Sequence, residues 1–388
     1  MLRQGSRPAA GRAAPCGASL GKRLTTSSVR SALGRSYASE VSPPRIGFDV
    51  SPLHLPHPPG VVRATRGMVE ALERRGRIEV VRLVPQGPLR AWRHSRLPQL
   101  VASERLLGLH SPVSAFPRSG PGRRVQTIHE LPWKHGVEEN ADLKHRFWAA
   151  WGPLRADRVL VPSEHVARDV RSRLLPGARK VRVVPWGVGA PFGDLPDPGT
   201  VDEVVLGKYR LGQDPLALCP GAVRAKKNLA AVLRGLARVR ESGGPRIQLV
   251  VTGEHSADLR RDLGLVARLG LSDSVSTPGV IDERDWPALM RLASAVPVLA
   301  RSEGFAFPVL EALACGVPVI VPPESAQSEL AGACALLVDP DDPDAVARAL
   351  VHAVSERESL RAAAVERAAQ FSWERCAERV ETLWQELV

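Results

Sequence analysis

Two glutamates eight positions apart, Glu303 and Glu311, bracket the segment of this chain whose residue types are richest in chemistry. Glu303 precedes Gly304 in a predicted loop. Glu311 lies in a short apolar stretch that Pro308 can begin as a helix, because the first turn does not use the N–H that proline lacks. Carboxylates accept hydrogen bonds from hydroxyl groups, and the start of a helix attracts phosphate. The pattern predicts a site for a ligand with both groups, such as a nucleotide-sugar.

A group of cations precedes a second predicted helix, in the segment GAVRAKKNL. Gly221 follows a predicted strand in a tight turn, and the helix begins at Asn228. Cations beside a helix start suit a diphosphate, and a solvated basic helix start is the alternative interpretation. The cations are Arg224, Lys226 and Lys227.

Strands and helices alternate along both halves of the chain, which predicts parallel sheets with helices on both faces. The 388 residues are too many for one ordinary core and suit two domains. Open parallel sheets bind ligands beyond the carboxyl ends of their strands, so two such sheets face to face would make a cleft. Predicted strands in the first half are RIGFDV, EVVRLV, VQTIH, DRVLVPS and KVRVVPWGV, and those in the second half are LALCPG, IQLVVTG, SVSTPGV, AVPVLA, VPVIVP and CALLVD.

The segment EGFAFPVLEALACGVPVIVP resembles the donor-site motif of retaining glycosyltransferases of the GT-B fold, in the large family 4 group. The usual form is close to EGFGLPxLEAMACGxPV, so Ala306 and Phe307 replace the usual Gly and Leu. GAVRAKKNL is similar to the family's GxxxPRKNL, with Arg224 in a place usually taken by Glu and Ala225 in place of Pro. The resemblance covers roughly residues 45–388 and implies an α/β fold with two doubly wound, Rossmann-like domains facing a central cleft.

The resemblance implies roles for the residues of both motifs. Lys227 would hold the donor diphosphate, with Arg224 and the turn at Gly221 beside it. Glu303 would contact the donor sugar, and Glu311 would accept hydrogen bonds from the ribose hydroxyls. The backbone N–H groups that would assist Glu303 belong to Gly304, Phe305 and Ala306.

Two motifs in the first half resemble the same family. PPGVVRATRGMVEAL is similar to the first loop and helix, commonly GxGRYTRxLLxAL, which implies a donor-binding role for Gly60, while Val62 stands where a second Gly is common. A structural turn is the alternative. In TIHELPW, His129 ends a buried strand, and the resemblance implies a position near the transferred sugar. A structural histidine is the alternative there. Ser163, in VPSEH, is predicted to cap a helix.

The composition is that of a soluble globular protein, with 44% hydrophobic and 24% charged residues. No apolar run approaches the roughly 20 residues of a membrane-spanning helix. Five cysteines form no CxxC pair, which indicates a reducing compartment without a disulfide framework or a zinc site. A cytoplasmic location is expected, with a peripheral position at the inner face of the plasma membrane left open.

The net charge of +12 is concentrated near the N-terminus, where residues 1–39 hold seven basic side chains and no acidic one. Two explanations stay open for this tail, an organelle transit peptide or a basic extension from an upstream start codon. With only two Tyr and seven Phe, base stacking is poorly supported, so no nucleic-acid partner is expected. A weak attraction to anionic membranes is the better alternative, because many enzymes of this family act on lipid-linked acceptors.

These patterns predict five segments. They are a disordered basic tail (1–42), an N-terminal domain (43–190), a linker (191–203), a C-terminal domain (204–372) and a terminal helix (373–388). The resemblance implies that the first domain is Rossmann-like and lies on the acceptor side, that the second is Rossmann-like and binds the donor, and that the terminal helix crosses back to the first domain.

The resemblance implies a retaining, nucleotide-sugar-dependent hexosyltransferase of polysaccharide or glycoconjugate biosynthesis. The donor would be GDP- or UDP-linked, mannosyl being a frequent choice, and the acceptor a glycan or a lipid-linked glycan. No Walker lysine loop or GxGxxG pattern occurs, and metal-independent chemistry without a cofactor is expected. The predicted catalytic residues are His129, Glu303 and Lys227. A non-catalytic GT-B protein that binds sugar nucleotides or glycans is the alternative.

Overall fold

The computed structural model describes most of the chain after Pro43. The predicted tail 1–42, Cys16 within it and most of the predicted linker 191–203 lie outside the described residues. The described ranges are 43–139, 141–172, 178–189, 192, 200–221 and 223–388.

Twelve strands are present among the described residues, in two sheets of six. The N-terminal sheet contains β1 Arg45–Asp49, β2 Glu79–Leu83, β3 Gly108–Ser111, β4 Arg123–Thr127, β5 Arg158–Val161 and β6 Val181–Val183. The C-terminal sheet contains β7 Leu216–Cys219, β8 Gln248–Thr252, β9 Val275–Gly279, β10 Ala293–Pro297, β11 Val319–Val321 and β12 Ala335–Leu337.

The helices alternate with these strands, as the sequence pattern predicts. Those up to β6 are α1 Pro59–Arg75, α2 Leu89–Ala91, α3 Leu97–Ser103, α4 Leu143–Arg155 and α5 Glu164–Arg171. The remaining helices are α6 Thr200–Lys208, α7 Leu229–Glu241, α8 Ala257–Arg268, α9 Trp286–Leu292, α10 Phe307–Ala314, α11 Ala326–Ala331, α12 Pro343–Ser355, α13 Arg357–Ala368 and α14 Trp373–Gln385.

Both sheets are parallel and doubly wound. The strand orders are β2-β1-β3-β4-β5-β6 and β12-β11-β10-β7-β8-β9. The chain reverses its direction of travel between β1 and β3 in the first sheet and between β7 and β10 in the second. Ligands bind such sheets in the crevice beyond the carboxyl ends of the strands at this reversal point. The topology therefore places one crevice on each lobe. We define the N-terminal lobe as β1–β6 with α1–α5, and the C-terminal lobe as β7–β12 with α6–α13.

Helix α14 follows the C-terminal lobe in sequence but packs on the N-terminal lobe. Its apolar face, including Trp384, joins the core formed by β1 and α1. On its polar face, Glu381 accepts two hydrogen bonds from Arg75 at 2.8 and 2.9 Å. Ser372 caps the helix by accepting from the backbone N–H of Arg375. The last helix thus joins the two lobes through side-chain packing.

Some elements were missed by the sequence patterns. Strand β3 is short and carries His110 and Ser111, both buried, so it does not resemble an apolar strand. Helix α4 was not predicted either. Helix α6 begins at Thr200, inside the segment expected to be a linker; Asp202 and Glu203 in its first turn favour a helix start through the helix dipole.

Two histidines on the N-terminal lobe are held neutral by burial, which lowers the pKa of His110 to about 3 and that of His129 to about 4. In the unfolded chain both would bind a proton near pH 6.5. Between these values the unfolded state binds more protons than the folded state, so the free energy of unfolding falls as pH falls from about 7 to 4.

We expect the His110→Gln variant to show a shallower loss of stability with acidification than the natural protein, by up to about 1.4 kcal/mol per pH unit. Urea unfolding at several pH values between 7.5 and 4.5 would measure this slope. Equal slopes for the two proteins would contradict the assignment, whatever the stability at neutral pH.

Candidate active site

A cleft of about 800 Å³ lies between the two lobes and is lined by both. From the N-terminal lobe come the start of α1 and the segments after β3 and β4. From the C-terminal lobe come the turns after β7 and β10 and the first part of α10. These are the carboxyl ends of strands at the two reversal points. Every residue singled out as catalytic or donor-binding in the sequence lines this cleft, namely Gly60, His129, Gly221, Arg224, Lys227, Glu303, Gly304, Phe305, Ala306 and Glu311.

Lys227 and Glu303 form an ion pair, with Nζ 2.6 Å from Oε1. Lys227 ends a short 3-10 turn, and Asn228 after it adopts the left-handed conformation, φ 56°, before α7 begins. Asn tolerates that conformation better than most residues. The turn projects the lysine toward the loop that carries Glu303. The acidic and basic motifs, 76 positions apart in the sequence, therefore meet in the structure.

Two more cations of the same motif reach across the cleft to the N-terminal lobe. The ammonium of Lys226 is 3.0 Å from each carboxylate oxygen of Glu130. The guanidinium of Arg224 is 2.6 Å from Oε1 of Glu139. Arg224 therefore does not simply face solvent. Neither Glu130 nor Glu139 was singled out by the sequence analysis.

The charges of this cluster influence one another strongly. Burial raises the pKa of Glu130, and the positive charge of Lys226 only partly offsets it. Burial acts in the same direction on Glu303, but the two lysines Lys227 and Lys226 outweigh it and hold its pKa below the usual value. Burial opposes the charge of Lys226, yet Glu303 and Glu130 together raise its pKa. The cluster therefore keeps Glu303 ionised and Lys226 charged at neutral pH.

Glu311 is buried on α10, and both of its carboxylate oxygens have partners. Oε1 accepts from the guanidinium of Arg63 on α1, and Oε2 accepts from the indole N–H of Trp286 at 2.9 Å. Three apolar residues of α10 around Glu311 are fully buried, namely Val309, Leu310 and Leu313. A ribose that binds Glu311 has to share this carboxylate with Arg63 or displace it.

His129 lies at the end of β4, as predicted, and its environment fixes its protonation. Nε2 donates to the carbonyl oxygen of Pro112 at 2.8 Å, so in the neutral ring Nδ1 is the acceptor. Trp186 lies against this ring, with centroids 5.8 Å apart, and also contacts Phe305. The imidazole at neutral pH can accept a hydrogen bond from a sugar hydroxyl but carries no positive charge. Trp186 fills space near this ring.

Glycines shape the cleft at three positions. Gly221 has φ +93°, a conformation that favours glycine, and Gly60 lies in the first turn of α1 with no backbone strain. At Gly304 an added Cβ would collide with the carbonyl oxygen of His129, so the two lobes approach backbone to backbone at this point. Gly304 also accepts a hydrogen bond from Oγ of Ser163 at 2.9 Å. Ser163 caps α5 through the N–H of Val166 at 3.3 Å, so it has the predicted role and a second one.

Two groups with metal-binding chemistry lie away from the cleft lining. In the part of the chain that the structure describes, His135, His165 and Asp169 have ligand atoms within 4.8 Å of one another. His135 instead donates to Asp169 at 2.7 Å, and Lys134 approaches the same carboxylate. The aspartates of 339–344 include Asp342, which caps α12 through two backbone N–H groups. Both groups have structural partners of their own.

Comparison with known proteins relates part of this chain to a family. The family model of glycosyl transferases group 1 matches residues 207–371. The chain is 30% identical over 175 residues to the O-antigen chain mannosyltransferase B of Escherichia coli, an alignment that covers 44% of this chain and 46% of that protein. The chain spans about half the length of the curated relatives it matches.

Solved structures resemble nearly the whole chain. A glycosyltransferase from Rickettsia africae matches with a TM-score of 0.69 and 16% identity, covering 89% of this chain and 98% of that one. HepE of Anabaena, in complex with UDP and glucose, matches with a TM-score of 0.68 and 15% identity, covering 88% and 99%. At this level of identity the likeness establishes the fold. None of the helices among the described residues is both long and apolar enough to cross a membrane. Residues 207–371 thus form a glycosyl transferases group 1 domain, and the chain belongs to the proteins with the GT-B fold.

Proposed function

We propose that this protein is a retaining glycosyltransferase that moves a hexosyl group from a nucleotide-sugar to a glycan or lipid-linked acceptor. The observation that carries the proposal is the meeting of Lys227, Glu303 and Glu311 in one cleft between the lobes. Mannosyl is the first choice for the hexosyl group, because the E. coli relative is named a mannosyltransferase. GDP- and UDP-linked donors are the two candidates.

The mechanism we propose needs no protein nucleophile. The acceptor hydroxyl oxygen forms a bond to the anomeric carbon on the same face from which the diphosphate departs. The bond between that carbon and the diphosphate oxygen breaks, and the hydroxyl proton passes to the departing phosphate. Lys227 exchanges its contact with Glu303 for the diphosphate, whose growing charge it stabilises together with the start of α7. Glu303 then becomes free to accept hydrogen bonds from the donor sugar.

The remaining residues would position the donor. Ribose hydroxyls would donate hydrogen bonds to the Glu311 carboxylate in place of Arg63. The guanidinium of Arg63 would then be able to contact the phosphates. The neutral ring of His129 would accept a hydrogen bond from a hydroxyl of the transferred sugar. No divalent metal or cofactor enters this mechanism. We therefore expect turnover to persist in the presence of a chelator.

A nucleotide panel provides the first test. A ligand that binds only the folded state raises the melting temperature, and a concentration of 100 times Kd contributes about 2.7 kcal/mol. We expect UDP or GDP to raise the melting temperature and the other nucleoside diphosphates to do so less. Transfer with the matching sugar nucleotide, followed by NMR of the anomeric proton, would then establish retention. Binding of a nucleotide without hydrolysis or transfer would favour the non-catalytic alternative.

We also propose a peripheral position at an anionic membrane surface, supported by helix α4. Leu143, Phe147 and Leu154 on this helix are exposed, at 84%, 44% and 57%. The helix carries Lys144, Arg146 and Arg155 and no acidic residue. Exposed apolar side chains with basic neighbours suit the interface of an anionic bilayer. Sedimentation with phosphatidylglycerol vesicles should exceed that with phosphatidylcholine vesicles, and equal sedimentation would contradict this position.

A further inference from the structure

Two cations of the cleft wall have no ion-pair partner among the described residues. Six lysines and arginines line the cleft. Arg93 and Lys144, both on the N-terminal lobe, have neither an ion pair nor a hydrogen bond within the described ranges. The other four are each paired with a carboxylate, namely Arg63 with Glu311, Arg224 with Glu139, Lys226 with Glu130 and Lys227 with Glu303.

Arg93 lies in an unusual stretch of backbone. Between α2 and α3 the chain forms a π-helical turn, Trp92–Arg96, of a kind that often occurs at functional sites. The fully buried Trp92 anchors this turn in the core, while Arg93 reaches the cleft. Its Nε is buried, and no group in the described part of the chain forms a hydrogen bond with it. The free energy cost of a half-buried, unpaired guanidinium is considerable, and a bound anion would remove it.

The nearest protein carboxylate does not neutralise Arg93. The charge of Asp49 acts on Arg93, but Asp49 is buried and forms no ion pair with it. Oδ1 of Asp49 accepts from the backbone N–H of Ser51 at 3.0 Å. Burial also raises the pKa of Asp49, because it disfavours the charged carboxylate. The guanidinium therefore faces the cleft with its positive charge available.

Lys144 belongs to the same wall of the cleft. It is an exposed residue in the first turn of α4, and the ring of Trp148 on that helix stacks on His94, beside Arg93, with centroids 5.7 Å apart. Asp142 also lines the cleft, but its carboxylate caps α4 by accepting from the backbone N–H of His145 at 2.6 Å. The stacked rings thus join the two elements that carry Arg93 and Lys144.

We infer that Arg93 and Lys144 form an anion subsite that binds a phosphate group carried by the acceptor, an inference that rests on the proposed transfer reaction. On the C-terminal lobe, Arg224, Lys226 and Lys227 are available to the donor diphosphate. Arg93 and Lys144 are therefore available to a second anion. The guanidinium of Arg93 can donate two parallel N–H hydrogen bonds to a phosphate. The ammonium of Lys144 adds a positive charge on a flexible side chain. The phosphate stays on the acceptor throughout the reaction and serves to orient its hydroxyl toward the donor sugar.

The test separates this subsite from the donor site. The full chain is first saturated with UDP or GDP, whichever raises its melting temperature, and is then titrated calorimetrically with hexose 6-phosphates, hexose 1-phosphates and the corresponding free hexoses. A second arm measures binding to phosphatidylcholine vesicles with and without a polyprenyl phosphate. The first arm represents a soluble sugar phosphate as acceptor, and the second a lipid-linked one.

The variants are Arg93→Gln, Lys144→Gln and the charge-conserving Arg93→Lys. Matched controls are Arg96→Gln in the same π-helical turn and Arg155→Gln on the same helix α4, because neither side chain lines the cleft. Arg155→Gln serves as a control in the calorimetric arm alone, because Arg155 belongs to the face of α4 proposed to meet a membrane. We expect Arg93→Gln and Lys144→Gln each to weaken binding of the phosphate probe about 10- to 100-fold. Arg93→Lys should recover part of the loss, and both controls should bind as the natural protein does.

Three results would overturn the inference. These are equal binding of phosphorylated and free hexoses with no vesicle dependence, unchanged binding in Arg93→Gln, and equal losses in the cleft variants and the controls. We expect the nucleotide to raise the melting temperature of Arg93→Gln as it does that of the natural protein. This rise would also demonstrate that the variant folds. If no nucleotide stabilises the natural protein, the proposed function fails as a whole, whereas nucleotide binding without Arg93-dependent phosphate binding contradicts the subsite alone.

Discussion

Replacing Lys227 with alanine is expected to lower kcat about 100- to 1,000-fold, the usual effect of removing one electrostatic donor to a departing group. The ammonium of Lys227 is 2.6 Å from Glu303 and lines the cleft. Its loss removes the cation that would neutralise the diphosphate. It also leaves Glu303, which is largely buried, with less compensation for its charge, so that the melting temperature should fall. Initial rates with saturating donor would measure the effect.

Two comparison variants distinguish the loss of a cation from the cleft from the loss of an ion pair elsewhere in the structure. Lys227→Arg keeps a cation at this position and should retain more activity than alanine does. Lys208→Ala removes a lysine that is also ion-paired, at 2.5 Å from Asp285, but is exposed and outside the cleft. Exposed pairs contribute little, about 0–1 kcal/mol, so this variant should turn over normally. Near-normal turnover of Lys227→Ala with saturating donor would remove Lys227 from the mechanism.

The second large effect is expected from replacing Gly304 with alanine, which should lower both the reaction rate and the stability. A Cβ at this position would meet the backbone carbonyl of His129, which cannot rotate away as a side chain could. The loop that carries Glu303 would have to move away from the N-terminal lobe and lose the hydrogen bond from Ser163. A displacement of about 1 Å in a reacting site can cost about 100-fold in rate, and overpacking costs about 1–3 kcal/mol of stability.

Gly207→Ala is the matched control for this variant. Gly207 is in α6, and an added Cβ there meets no atom within 4 Å. Alanine in a helix lowers the conformational entropy of the unfolded chain, so this variant should be as stable as the natural protein or slightly more stable. Thermal melts and initial rates on both variants provide the comparison. A Gly304→Ala protein with normal rate and normal melting temperature would mean that the lobes do not meet at this point in solution.

The sequence predicted the alternation of strands and helices well because parallel strands buried on both faces are continuous apolar runs, as in VPVIVP. It missed β3 because His110 and Ser111 are polar yet buried in the sheet. Burial of these residues depends on the neighbouring strands β1 and β4, which no local pattern encodes. The predicted segment boundaries and the catalytic roles remain predictions.

The candidate site residues of the C-terminal lobe could be named from sequence because each motif is local. The loop before α10 and the turn before α7 need glycine, proline and charged residues at fixed spacings. The contacts across the cleft could not be predicted in this way. Arg63 and Glu311 are 248 positions apart, and Lys226 and Glu130 are 96 apart. Their pairing depends on how the two lobes pack against each other.

Local patterns in the sequence were enough to predict parallel sheets with helices on both faces and the residues at the ends of several strands, because backbone periodicity and turn chemistry act over short distances. Three features depend instead on the folded protein: which charges become partners, that the ring of His129 is kept neutral, and that Arg93 and Lys144 are left unpaired within the described residues. These features could not be predicted because burial and electrostatic pairing depend on distance in space. Residues far apart along the chain acquire that proximity only after the lobes have closed around a common cleft.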